Sequence, residues 1–141
     1  TVSPLIVENL RTGDLELLMG SAGGSRIITA NLQLVYAFLS HHGQKRIDHF
    51  IARPRWHDQL VPPITMFEYA VPATMIPNFV GYNNATIAEL AAKGHEPVYY
   101  APGFSNAQAI QCMHRDGRID GQPWLLAATE IRQREARGAA I

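Results

Sequence analysis

The stretch of this 141-residue chain best suited to chemistry is Gly20-Ser21-Ala22-Gly23-Gly24-Ser25-Arg26. Leu15 to Met19 reads as a strand leading into it. Ile27, Ile28, Asn31, Leu34, Val35, Phe38 and Leu39 recur behind it at helical spacing. Paired glycines at a strand-to-helix junction let backbone N–H groups approach a ligand closely, because no Cβ stands in the way. The dipole of the following helix favours negative charge at the same point. Three uses are open on the residues alone: a phosphate cradle, an oxyanion hole for acyl transfer, or a tight turn with no ligand.

Other reactive side chains read as structural. His57 and Asp58 lie side by side in Arg55-Trp56-His57-Asp58-Gln59, and neighbours in a strand point to opposite faces, which is wrong for a catalytic dyad. Arg53 and Arg55 are expected in buried or interfacial ion pairs. His41 and His42 suit a helix C-terminus, whose dipole favours positive charge, and no third ligand follows at metal-binding spacing. His49, His95 and His114 are scattered, so neither a metal nor a cofactor is expected. Cys112 is the single cysteine, which excludes an intrachain disulfide, and its alternating surroundings suggest a core or half-buried thiol. Asn84-Ala85-Thr86 matches the N-glycosylation acceptor pattern, and Asn84 serves equally well as a plain helix cap.

These residues must be positioned by a small set of elements. Residues 4 to 8 and 15 to 19 form an expected hairpin, turning between Asn9 and Asp14 with Gly13 at the bend. A helix is expected from about Ser25 to Ser40, with Gly43 following His41-His42 as its C′ residue. Ile47, Phe50 and Ile51 fit a short second helix stopped by Pro54. Pro62-Pro63 precede a strand from Ile64 to Tyr69, and residues 70 to 82 read as an irregular loop. A third helix spans Ala85 to Lys93, closed by Gly94. Strands follow at about 96–101, 107–113 and 124–129, with Trp124 packing in the last. The charged tail from Arg132 to Arg137 reads as a helical turn or a frayed end.

Composition sets the class. The length suits one domain with a core, and 47% apolar residues argue for a folded segment. Twelve basic residues balance twelve acidic ones, so no charge asymmetry points to nucleic acid or an anionic membrane. No apolar run reaches membrane-spanning length, and no signal-peptide pattern opens the sequence. The chain starts Thr1-Val2-Ser3 without an initiator methionine, which suggests a fragment or a processed product.

With these words in view, the chain resembles the C-terminal part of the small subunit of γ-glutamyltransferases (glutathione hydrolases), most closely fungal-looking versions. The matching words are Thr1 to Val7, Gly20 to Ile27, Ala52-Arg53-Pro54-Arg55-Trp56-His57-Asp58-Gln59, Ala91 to His95, Ala107 to Ile110 and Arg137 to Ala140. The likeness runs nearly end to end, over residues 1–141 as one incomplete domain.

The resemblance implies an α+β fold, a partial N-terminal-nucleophile hydrolase sandwich (αββα) of antiparallel-rich sheets with covering helices. It implies a threonine, exposed by self-cleavage, whose hydroxyl attacks a γ-glutamyl amide such as that of glutathione. Gly23 and Gly24 map to the oxyanion hole. Thr1 maps to the second of two hydroxyls that hold the substrate α-carboxylate, a role a threonine can fill. Thr1 is not expected to be the nucleophile, because the family's nucleophile begins a different word well upstream. The residues that grip the substrate backbone are upstream as well, so the chain is expected to hold half an active site. Its partner would be the upstream part of the same enzyme, the large subunit and the start of the small one, and its route secretory.

The ending departs from the family, with Ile131 in place of an expected proline between Glu130 and Arg132, an unusual Gly121 to Leu126, and charged residues from Arg134 to Arg137. The last strand and its turn are therefore expected to be altered. The competing reading is a non-catalytic remnant that keeps the fold and binds a partner through open strand edges.

Overall fold

The computed structural model describes residues 3–41, 46–69, 79–103, 105–113 and 124–132. Strand β1 (Ser3–Glu8) turns into β2 (Leu15–Ala22) as the expected hairpin, with Leu5 opposite Met19 and Val7 opposite Leu17. Asn9 closes the turn: its Oδ1 accepts from the N–H groups of Arg11 and Thr12 at 3.0 and 3.3 Å, and Gly13 takes the positive φ of 77°. Helix α1 (Arg26–Ser40) follows directly, burying Ile27, Ala30, Asn31, Leu34 and Phe38 at three- and four-residue intervals. A short α2 (Ile47–Ile51) buries Ile47, Phe50 and Ile51, and the chain leaves it at Pro54.

Strands β3 (Trp56–Asp58) and β4 (Ile64–Glu68) pair antiparallel. Helix α3 (Asn84–Ala92) then leads to β5 (Glu96–Tyr100), which lies parallel to β4. Strands β6 (Asn106–Met113) and β7 (Trp124–Ala128) complete the described elements. Two sheets result: an antiparallel one in the order β1-β2-β6-β7, and a smaller mixed one in the order β3-β4-β5. The α+β architecture with antiparallel-rich sheets agrees with expectation; the parallel β4–β5 pair and the three-residue β3 add to it.

The core lies between the larger sheet and helices α1 and α2. Leu17 and Met19 of β2, Ala107 and Ala109 of β6, and Leu126 and Ala128 of β7 meet Leu34, Phe38, Ile47, Phe50 and Ile51. Alternation along each strand sends Ile6, Ile110 and Leu125 to the other face, where all three are exposed. A second apolar row, Ile28, Leu32, Tyr36 and Leu39, is exposed along the outer side of α1. Asn83 caps α3, accepting from Ala85 N–H at 2.8 Å, so the cap lies one residue before the expected Asn84, which is exposed in the first helical position. The last strand keeps a regular antiparallel register, with Met113 opposite Trp124 and Ala109 opposite Ala128, despite the unusual sequence before it. Gly43, most of the loop expected at 70 to 82 and the tail beyond Arg132 lie outside the described residues.

Candidate active site

Ala22 closes β2, and Gly23 and Gly24 turn the chain into α1 with φ angles of 148° and 63°. Both angles fall where a side chain is disfavoured, which is the reason for glycine here. The Gly24 carbonyl accepts from Ile27 N–H at 3.2 Å, starting the helix. Neither glycine N–H donates to an acceptor among the described residues, and both residues are exposed. Two oriented donors therefore stand free at the positive end of a 15-residue helix. Ser25, at the N-cap position, does not occupy them, because its hydroxyl reaches away to Gln59 Oε1 at 3.1 Å.

Gln59 belongs to a relay that fixes the start of α1 against the smaller sheet. Gln59 Oε1 lies 2.8 Å from His57 Nε2, and His57 Nδ1 lies 2.9 Å from Thr29 Oγ1. The Thr29 hydroxyl also donates to the Arg26 carbonyl at 3.2 Å, inside the first turn of α1. His57 is buried, whereas Asp58 points the other way and accepts from Thr65 Oγ1 at 2.7 Å beside His95 Nδ1 at 3.3 Å. The two are not a dyad, as their places in the strand required. The Thr65 hydroxyl and the Leu60 N–H hold the Asp58 carboxyl below its ordinary range.

The largest feature that the sequence did not reveal is a sealed cluster of four charges. Arg55 and Glu130 pair at 2.8 Å, Arg132 and Glu130 at 2.7 Å, and Arg132 also pairs with Glu68. Glu68 accepts from Arg55 N–H at 2.8 Å and Gly103 N–H at 3.0 Å, and Glu130 accepts from Ala107 N–H at 3.0 Å. Arg132 adds bonds to the carbonyls of Ile51 and Arg53 at 2.8 and 2.6 Å. The cluster thus joins both sheets, the end of α2 and the last described residues. Burial holds the Arg55 guanidinium below its ordinary value, aided by repulsion from Arg132. Burial acts against Arg132 as well, but its hydrogen bonds and charge pairing with Glu68 raise it overall. Arg55 meets the ion-pair expectation. The Arg53 side chain is exposed and lies over the Phe50 ring at 4.9 Å, and its carbonyl accepts from Arg132 in the cluster. The signal available in the sequence was Glu68 directly following Met66 and Phe67 in a strand flanked by apolar residues, which places a carboxylate in a buried strand.

Among the remaining candidates, His41 ends α1 with Nδ1 2.8 Å from the Ala37 carbonyl and packs on Phe50. Cys112 is buried, and desolvation pushes its thiol up. No group of three or more metal-ligating side chains is present among the described residues, and no described helix is long and apolar enough to cross a membrane. Thr1, His42 and His114 lie outside the described residues, as does the Trp124 side chain.

The α+β arrangement of antiparallel-rich sheets and helices matches solved structures of the N-terminal-nucleophile hydrolase fold, and that is the class of this chain. Residues 1–140 match the family described as Gamma-glutamyltranspeptidase, and the chain belongs to that family of enzymes. It is 32% identical over 126 residues to a glutathione hydrolase of Aspergillus flavus, covering 88% of this chain and 19% of the relative. Among solved structures it is similar to a mutant gamma-glutamyltranspeptidase of Helicobacter pylori, at 25% identity and a TM-score of 0.75 over 94% of this chain and 61% of that one. It is similar too to an acivicin-inhibited gamma-glutamyltranspeptidase, at 25% identity and a TM-score of 0.74 over 95% and 61%. The chain therefore spans about a fifth of the curated relative and three fifths of the chains in these structures.

Proposed function

We propose that this chain is the oxyanion-hole half of a glutathione hydrolase, which cleaves or transfers γ-glutamyl groups by acyl transfer from an N-terminal threonine. The observation that carries the reading is the pair of unengaged N–H groups of Gly23 and Gly24 at the start of α1. Attack of a hydroxyl on the γ-amide places negative charge on the carbonyl oxygen, and preorganised backbone donors stabilise that charge most in the transition state. Thr1 contributes part of the α-carboxylate site through its hydroxyl. The nucleophile, its base and the rest of the carboxylate site come from the upstream part of the same enzyme. Water or an acceptor amine then takes the glutamyl group from the acyl-enzyme, giving free glutamate or a new γ-glutamyl amide and restoring the threonine hydroxyl.

The exposed apolar rows on α1 and on the outer face of the larger sheet support a chain that works against further protein. The isolated 141 residues are expected to show no turnover of a chromogenic γ-glutamyl anilide. The decisive experiment is the same assay on the enzyme assembled with its upstream part. There, turnover that disappears in Gly24→Val supports the reading; wild-type-like turnover in that variant refutes it.

A further inference from the structure

Ser25, Thr29 and Gln33 recur every four residues at and beyond the start of α1, so they share one face of the helix. Leu34 and Phe38 pack into the core of the larger sheet, whereas this polar face is bonded to β3 and the residue after it. The Ser25 hydroxyl donates to Gln59 Oε1 at 3.1 Å, and Thr29 Oγ1 lies 2.9 Å from His57 Nδ1. Gln33 accepts from Trp56 N–H at 3.2 Å and donates to the Trp56 carbonyl at 2.8 Å. His57 Nε2 lies 2.8 Å from Gln59 Oε1, so Ser25 and His57 meet at one amide oxygen. Gln59 is itself tied by its backbone. Its N–H donates to the Ile64 carbonyl at 3.0 Å, and its carbonyl accepts from Val61 N–H at 2.8 Å.

This end of α1 has little else to hold it. Ser25 makes no side-chain cap bond to the helix. Gly24 turns at a φ of 63° with open space where a Cβ would stand, so no neighbour braces it from the side. Its carbonyl bond to Ile27 N–H ties the turn to the helix and not to a sheet. We propose that Gln59 is a positioning residue: by gripping the hydroxyl of Ser25, next in the chain to Gly24, it holds the Gly23 and Gly24 N–H groups aimed where the oxyanion forms. His57 and Gln33 extend the same grip along the helix, so β3 sets the rotation and height of α1. This inference rests on the function proposed above. Its physical basis is that donors stabilise the developing charge only if already in place, and a misplacement of about 1 Å costs on the order of 100-fold in rate.

The test uses the enzyme assembled with its upstream part and a chromogenic γ-glutamyl anilide, with kcat and KM read separately. Acylation and deacylation both pass through a tetrahedral oxyanion, so kcat reads the donors in either step. Gln59→Met keeps the side-chain length without the acceptor oxygen. It is expected to lower kcat about 10- to 100-fold and to leave KM within about twofold, because the donors act mainly on the transition state. Gln59→Glu keeps an acceptor for Ser25 and His57, and is expected to recover most of that loss. Ser25→Ala, at an exposed position, is expected to lower kcat by a comparable factor, and it decides the matter if Gln59→Met does not assemble. Both variants break one bond, so the double variant is expected to lose no more than the worse single one. An unchanged kcat beside a lowered urea midpoint overturns the inference and leaves Gln59 a folding residue, as do losses that multiply in the double variant. A wild-type assembly with no turnover refutes the proposed function, and this inference falls with it; active wild type with unaffected variants refutes the inference alone.

Discussion

The Gly23-Gly24 turn and the Arg55-Glu68-Glu130-Arg132 cluster treat hydrogen-bonding groups in opposite ways. At the turn, two amides stand at an open surface with no acceptor among the described residues. In the cluster, four ionised side chains are shut away from water, and their atoms are bonded to one another, to backbone carbonyls and to backbone N–H groups. Arg55 Nε is the exception, a buried donor with no partner. Unused donors are tolerable at the turn because solvent, or a reacting oxygen, can satisfy them. Charges are tolerable inside because each has an opposite charge at contact distance. The lesson is that capacity left open is what the proposed ligand would use, whereas capacity filled holds the chain together.

Breaking the filled side should give the largest change in stability. Arg132→Met leaves two buried carboxylates facing one guanidinium, and is expected to lower unfolding free energy by about 3–5 kcal/mol, read from the urea midpoint. Activity in the assembled enzyme should fall only as far as the folded fraction does. Gly24→Val reverses that pattern. No atom lies within 4 Å of a Cβ at position 24, so the stability loss is the left-handed backbone penalty of about 1–2 kcal/mol. The loss in kcat should be about 100- to 1,000-fold, and an enzyme that keeps its kcat would dissolve the contrast.

Smaller effects sharpen the comparison at its margins. Cys112, buried with a raised thiol, should react with iodoacetamide only as the fold opens, so that labelling and unfolding share one denaturant dependence. Prompt labelling in native buffer would place that strand outside the sealed region. Asp58 is half-exposed and held below the usual carboxylate range chiefly by Thr65. Its stabilising effect is therefore present above the ordinary carboxylate value of about 4 and is lost as pH falls through the lowered one. Asp58→Asn should flatten the acid limb of a stability profile and leave the neutral region little changed.

The open feature was legible in the sequence and the filled one was not. A glycine pair between an apolar strand and a helical repeat announces itself, because local backbone geometry is written in neighbouring residues. The hairpin at Asn9 to Asp14 and helices α1, α2 and α3 follow from the same short-range signals. The cluster draws on Arg55, Glu68, Glu130 and Arg132, whose separations of 64 residues and more for some pairs leave no local pattern. The parallel β4–β5 pairing was hidden for a similar reason, since strand direction is set by the crossover and not by either strand. Asn83 and Asn84 are chemically identical, so their order alone could not say which one caps α3.

The cluster has a consequence for the order in which the chain becomes complete. Arg55 and Glu68 are synthesised before Glu130 and Arg132, which emerge some sixty residues after them. Until that late pair arrives, the seam between the two sheets lacks two of its four charges and must stay hydrated. Closure of the interior is thereby deferred until nearly the whole segment has left the ribosome, and a nascent chain halted before Glu130 would be left with a wet, unlocked centre.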